Sequence, residues 1–293
     1  MIDFGNIITA MVTPFDKKGD VDYKQALELT NYLIDHGTDT ILLAGTTGES
    51  PTLTHDEEYR LFKYIKSEIG TRALIMAGTG SNSTQTAINA TKKAEECNID
   101  AVLQVAPYYN KPSQEGLYQH FEAIANSTKL PIMLYNIPGR AGIDIHLSTI
   151  QRLATLKNIV GVKEASGSVD IVKQFREGLP KNFQIYSGDD ALTFPFLEAG
   201  AIGVVSVASH CVGIQLQEMV SFYHQKDFVE AERIHKRLQE LFEILFITTN
   251  PVPVKVALRL MGIDVGSVRL PLVDASEEQV SQIKNVLLGL DLL

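Results

Sequence analysis

The chain has 293 residues, 45% of them apolar, and carries 35 acidic against 26 basic side chains for a formal net charge of −9. With no long basic run it lacks the phosphate-binding footprint of a nucleic-acid-binding protein, and no apolar run approaches the ~18 residues that a membrane span needs. Two cysteines far apart in sequence, Cys97 and Cys211, fit reduced and buried thiols rather than a disulfide framework, which leaves a soluble protein, one large domain or a barrel with an appendage, working on small molecules.

The chain opens on MIDFGNIITAMVTPFD, which has no basic leader ahead of its apolar run, so a cytoplasmic protein is expected. IITAMV from Ile7 is the first predicted strand, YKQALELTNYLIDHG has helical period, and TILLAG from Thr40 is the second strand. HDEEYRLFKYIKSEIG (helix), LIMAGT from Leu74 (strand), TQTAINATKKAEECN (helix) and AVLQVA from Ala101 (strand) follow, several of the helical segments closing on Gly or Asn. PIMLYNI from Pro131, IVGVKEA from Ile159, FQIYSG from Phe183 and IGVVSVA from Ile202 bring the strands to eight. Eight strands alternating with helices at about 30 residues per unit predict a parallel (β/α)8 TIM barrel of class α/β rather than an open doubly wound sheet. The last interval between strands is short, so the helix there must be small or replaced by a tight loop. After Ala208 no convincing strand remains, and FVEAERIHKRLQELFEILF, PVPVKVALRLMG and SEEQVSQIKNVLLGL all have helical period. The barrel is therefore assigned to residues 1–224 and a C-terminal helical appendage to residues 225–293, its apolar stripes buried against the barrel or another subunit.

In such barrels the chemistry sits at the C-terminal ends of the strands. The second strand ends in GTTGES, the fourth in PYYNKP, the fifth in YNIPGR and the seventh in SGDD, while the sixth carries Lys163. Hydroxyls, phenols and one guanidinium converge there without histidines. The seven histidines form no HExxH or clustered spacing, and neither a P-loop nor a Rossmann GxGxxG occurs; GTGSNS (78–83) lacks the third glycine and reads as an ordinary turn. No metal or organic cofactor is expected, and an amine-based mechanism is favoured.

The amine is Lys163, in IVGVKEASG, a stretch that reads as a strand buried on both faces. Either it snorkels or pairs with a carboxylate, Glu164 being nearest in sequence although strand neighbours face opposite ways, or burial lowers its pKa so that a neutral nucleophile can form a Schiff base. The stretch alone does not decide. Thr46, Thr47 and Gly48 form either an anion cradle or a capped turn with Ser50. Tyr135, on the neighbouring strand, is a proton-passing phenol or a core tyrosine. Arg140 holds a carboxylate or is a solvated charge, Tyr108 and Tyr109 pack at an interface or serve the site, and Asp189 and Asp190 are assigned mainly to capping the next helix.

Together GTTGES (45–50), PYYNKPSQEG (107–116), YNIPGR (135–140), GVKEASG (161–167) and NPVPVK (250–255) carry a resemblance that runs essentially end to end. The chain resembles the dihydrodipicolinate synthase family of pyruvate-dependent class I aldolases and lyases. The resemblance implies an imine between Lys163 and pyruvate, with Tyr135 as acid and base hydrogen-bonded to Thr46, and Tyr109 as a third member of the relay contributed across a subunit interface. It implies that Thr46, Thr47 and the backbone around Gly188 hold the pyruvate carboxylate, that Val205 lines the pocket near the imine, and that Arg140 binds the carboxylate of L-aspartate 4-semialdehyde. The activity so implied is the condensation of these two substrates in diaminopimelate and lysine biosynthesis, by a homodimer or dimer of dimers. The alternatives on the same scaffold are an N-acetylneuraminate lyase or a 2-keto-3-deoxy sugar-acid aldolase, against which the threonine pair and Arg140 speak; a non-catalytic relative would have lost Lys163, Tyr135 or the threonines. Lysine-sensitive relatives bind lysine at positions that here are Ser50, Pro51, His55, Glu58, Asn82, Thr86 and Tyr108. Pro51, Glu58 and Thr86 depart from their pattern, so weak or absent inhibition is expected.

Overall fold

The computed structural model describes residues 2–293. Eight strands close into a parallel barrel in sequence order, β8 returning to β1. They are β1 (Ile7–Ala10), β2 (Thr40–Leu43), β3 (Leu74–Gly78), β4 (Ala101–Val105), β5 (Ile132–Asn136), β6 (Ile159–Glu164), β7 (Gln184–Ser187) and β8 (Gly203–Ser206). Each lies inside the apolar run that predicts it, because a parallel strand covered by helices outside and side chains inside is apolar on both faces. β1, β2, β5, β6, β7 and β8 are buried at every position.

The helices between them are α1 (Tyr23–Asp35), α2 (His55–Ile69), α3 (Thr84–Glu96), α4 (Gln114–Ala125), the single turn α5 (Pro138–Ala141), α6 (Leu147–Leu153), α7 (Val169–Gly178) and α8 (Thr193–Glu198). Side-chain oxygens start most of them: Asp22, Ser83, Ser113 and Ser168 accept from backbone N–H groups of the first turn, and Thr54 with Glu57 forms a reciprocal capping box on α2. Thr54, not Thr47 or Ser50, is thus the cap of α2. The short interval between β7 and β8 holds a 3-10 turn (Asp190–Leu192) and the six-residue α8.

α9 (Ser209–His224) completes the ring, and α10 (Phe228–Ile244), α11 (Val252–Leu260) and α12 (Glu277–Gly289) follow. Leu238, Leu241 and Phe242 of α10, Val254 and Leu258 of α11 and Ile283 and Leu287 of α12 join the same hydrophobic core as the outer faces of the barrel strands. A second cluster fills the barrel itself, with Phe4, Ile8, Leu42, Met76, Met133 and Tyr186 among its members. No helix among the described residues is long and apolar enough to cross a membrane.

Candidate active site

β5 and β6 run in register with Tyr135 beside Lys163, and β6 and β7 with Lys163 beside Tyr186, so these three side chains form one row on one face of the sheet. Tyr135 and Tyr186 belong to the interior cluster, which places Lys163 inside the barrel. Its ammonium nitrogen sits 4.3 Å from the centre of the Tyr135 ring, and the two residues are 7% and 6% exposed. Glu164 points the other way: its carboxylate accepts from the Ser166 N–H at 2.6 Å and the Asn136 side-chain amide at 2.9 Å. Pairing of Lys163 with Glu164 is thereby ruled out.

Burial pushes the Lys163 pKa down from 10.5 to about 8; Asp190 and Asp189 favour the ammonium, and the Arg140 charge opposes it. Burial raises Tyr135 to about 12, while Arg140 and a hydrogen bond with Thr46 favour its phenolate. At neutral pH the site thus holds a proton-bearing phenol next to an amine that is readily deprotonated.

Gly188, after β7, is where a side chain cannot go. A Cβ there would lie 2.7 Å from the Ala165 Cβ and 3.0 Å from the Lys163 Cε, so any larger residue would press on the lysine side chain. Its N–H is already engaged with the Glu164 carbonyl at 2.7 Å. Val205, 2% exposed, lies in the interior cluster with Tyr135.

A cavity of about 340 Å³ has Tyr135 of this row in its wall, with Gly45, Thr46, Leu103, Ile137 and Arg140, whereas Lys163, Thr47, Gly188 and Val205 do not line it. Arg140 sits on the exposed turn α5. That turn is tied to β5 and β6 through Asn136, whose amide nitrogen donates to Asp144 and Glu164 and whose oxygen accepts from the Ile145 N–H. Thr47 is buried, and its hydroxyl oxygen receives a hydrogen bond from the Asn250 amide at 2.8 Å. Among the described residues no backbone carbonyl accepts from the N–H of Thr46 or Thr47.

One sequence reading changes. Asp189 does cap the 3-10 turn, accepting from the Ala191 N–H, but Asp190 does not serve that helix. Its buried carboxylate crosses to the end of β8, where it accepts from the Ser206 hydroxyl and the Val207 and Ala208 N–H groups. The reason is proximity: β7 and β8 are paired, so an acid just after β7 reaches the end of β8. Tyr109 lies outside the cavity of its own chain, 90% exposed on the loop after β4, with a φ of +73° that few residues without glycine's freedom adopt.

Three participants were not singled out from sequence. Asn250 meets Thr47 across 203 positions, Glu49 forms a fully buried ion pair with Lys255 at 2.7 Å, and Asn136 braces the Arg140 turn. The available signal was a polar residue interrupting an apolar run, as Lys255 does in PVPVKVAL; Asn250, which follows Thr248 and Thr249, offered no such signal.

The model of the dihydrodipicolinate synthetase family matches residues 3–289. The 4-hydroxy-tetrahydrodipicolinate synthase of Acaryochloris marina is 54% identical over 294 positions, covering 100% of both chains. Among solved structures, DHDPS from Cyanidioschyzon merolae with lysine bound superposes with a TM-score of 0.97 at 49% identity, covering 99% of each chain. The chloride-inhibited dihydrodipicolinate synthase of Acinetobacter baumannii in complex with pyruvate gives 0.96 at 40% identity, covering 99% of this chain and 100% of that one.

Proposed function

Since the chain belongs to the dihydrodipicolinate synthetase family, we propose that the row Tyr135–Lys163 and the loops above it carry out the family's condensation. The activity is that of a 4-hydroxy-tetrahydrodipicolinate synthase, a lyase of lysine and diaminopimelate biosynthesis, as in relatives at about 50% identity over the full chain. The observation that carries the residue assignment is the buried Lys163, its pKa lowered to about 8, in contact with Tyr135.

Neutral Lys163 attacks the keto carbon of pyruvate, and the oxygen leaves as water with protons passed by Tyr135, whose raised pKa keeps it a donor. Loss of a methyl proton turns the imine into an enamine, whose carbon attacks the aldehyde of L-aspartate 4-semialdehyde. The amine of that substrate then displaces Lys163 by transimination, closing a six-membered ring and restoring the lysine. Thr46 and Thr47 hold the pyruvate carboxylate, supported by the place of Thr46 on the cavity wall; Arg140 holds that of the aldehyde, supported by its place on the same wall with Tyr135; Val205 bounds the imine from the interior cluster it shares with Tyr135. Gly188 contributes the absence of a side chain beside Lys163 rather than its N–H.

Tyr109 enters the site of a second copy of the chain, so the working unit is a dimer or a dimer of dimers. A phenol 90% exposed on a loop fixed by the Asn110 amide on the Asn82 carbonyl supports that reading. Assaying pyruvate with aspartate semialdehyde, beside cleavage of N-acetylneuraminate and a 2-keto-3-deoxy sugar acid, tests the function. Ring formation with negligible sugar-acid cleavage is expected, and the reverse preference would overturn it.

A further inference from the structure

We infer that Asn250 is a positioning residue for this reaction: its amide fixes the Thr47 hydroxyl so that the proton of that hydroxyl is presented to the substrate carboxylate. The inference rests on the proposed role of Thr47. A threonine hydroxyl has one proton and two lone pairs. With the Asn250 Nδ2–H directed at Oγ1 from 2.8 Å, one lone pair is occupied and the oxygen acts as acceptor on that side. Its proton must turn elsewhere. Thr47 is 4% exposed, its hydroxyl donates to no other group among the described residues, and its neighbour Thr46 lines the cavity in which the substrate is proposed to bind. An acceptor at position 250 would do the opposite, drawing the Thr47 proton away from the substrate.

Asn250 is itself buried, and its Oδ1 has no hydrogen-bond partner. A residue kept only to fill space would not leave half an amide unsatisfied, since an apolar side chain fills space without that cost. The donor half is therefore the part that matters. The loop it touches is held independently: Gly48 receives the Thr13 hydroxyl on its carbonyl at 2.6 Å, and Glu49 is paired with Lys255. Loss of the Asn250 hydrogen bond should thus turn the Thr47 hydroxyl while the backbone stays in place.

The test uses Asn250→Ala, Asn250→Asp, Thr47→Val and the double variant Thr47→Val with Asn250→Ala. Thermal melts control for folding, and borohydride trapping against pyruvate concentration reads imine formation apart from turnover. Asn250→Ala should raise the pyruvate KM and the half-saturating pyruvate for trapping roughly tenfold while changing the aldehyde KM less than twofold. That split is one a general loosening of the fold would not give. Asn250→Asp, near in shape but unable to donate when ionised, should lose at least as much and stands in if the alanine variant does not fold. In the Thr47→Val background the Asn250 change should add less than twofold. Unchanged pyruvate binding in Asn250→Asp, or full additivity in the double variant, overturns the inference. A harmless Thr47→Val overturns it too, and with it the reading of Thr47 as a carboxylate ligand; a costly Thr47→Val with harmless Asn250 variants sinks the Asn250 inference alone.

Discussion

Lys163 and Lys255 are both buried lysines whose pKa values fall to about 8, yet only one is placed to react. Lys255 is 1% exposed, paired with Glu49, hydrogen-bonded to the Ser267 carbonyl and seated over the Phe15 ring, so every direction of approach is taken. Lys163 has an aromatic ring on one side and a glycine, Gly188, on another. At pH 7 a pKa of about 8 leaves about one amine in ten neutral, against about one in three thousand at the ordinary value. The same shift is a stability statement. The unfolded lysine holds its proton up to about pH 10.5 and the folded one only to about 8, so the cost of Lys163 is full below pH 8 and vanishes above 10.5. Lys163→Met should therefore be more stable than the parent at pH 7, by an amount on the order of 3 kcal/mol, with the gap closing between pH 8 and 10.5. Melting curves of both proteins across that range check it, and a gap independent of pH would contradict the assigned burial. Position 163 stood out in the sequence as a lysine inside a strand buried on both faces, although its role was decided by the motifs elsewhere in the chain and not by that stretch alone. The reach of Asp190 was not legible, since nothing local tells an acid capping its own turn from one reaching across to the next strand.

At the scale of elements, the loop after β2 is built by partners more than 200 positions away. Arg269, between α11 and α12, donates its N–H to Glu49, its side chain to the Gly19 and Thr52 carbonyls, and a two-pronged ion pair to Glu57 in the first turn of α2. That pair holds Glu57 down to about 2. A depressed carboxylate stabilises the fold above its unfolded pKa, near 4.5, and loses that contribution as pH falls through 2. Arg269→Met should accordingly lower stability at pH 7, the ion pair accounting for on the order of 1 kcal/mol after solvent screening, and its deficit should shrink between pH 4.5 and 2. Chemical denaturation at both ends of that range measures it; an undiminished deficit at low pH would assign the loss to packing instead. The strands were readable because parallel strands buried on both faces are continuous apolar runs, and the small α8 because the interval could hold no more. Ties such as Asn250–Thr47 and Arg269–Glu57 were not, because sequence separation hides which polar groups the closed barrel brings together.

For the whole molecule, the proposed imine site draws every residue from one chain except Tyr109. Tyr109→Phe should lose most activity with little change in melting temperature. Mixing it with Lys163→Ala under subunit exchange should restore part of the rate, since a mixed dimer contains one intact site. Exchange without recovery would place Tyr109 outside the relay. Glu58 is buried, accepts from the Ser50 hydroxyl at 2.8 Å and pairs with His55 at 3.1 Å, so its charge is engaged within the chain rather than open to an ammonium ion. Thr86 supplies no charge to replace it. Initial rates over a lysine titration at subsaturating substrates should show weak inhibition or none, and saturable inhibition at submillimolar lysine would show that the cleft binds it after all.

If the amine of Lys163 carries pyruvate, the imine can be trapped on it. Borohydride added with pyruvate should inactivate the protein and add the reduced pyruvate mass to the peptide that contains Lys163, while borohydride alone should leave activity intact. An adduct on Lys255 or Lys111, or inactivation without any adduct on Lys163, would contradict the account.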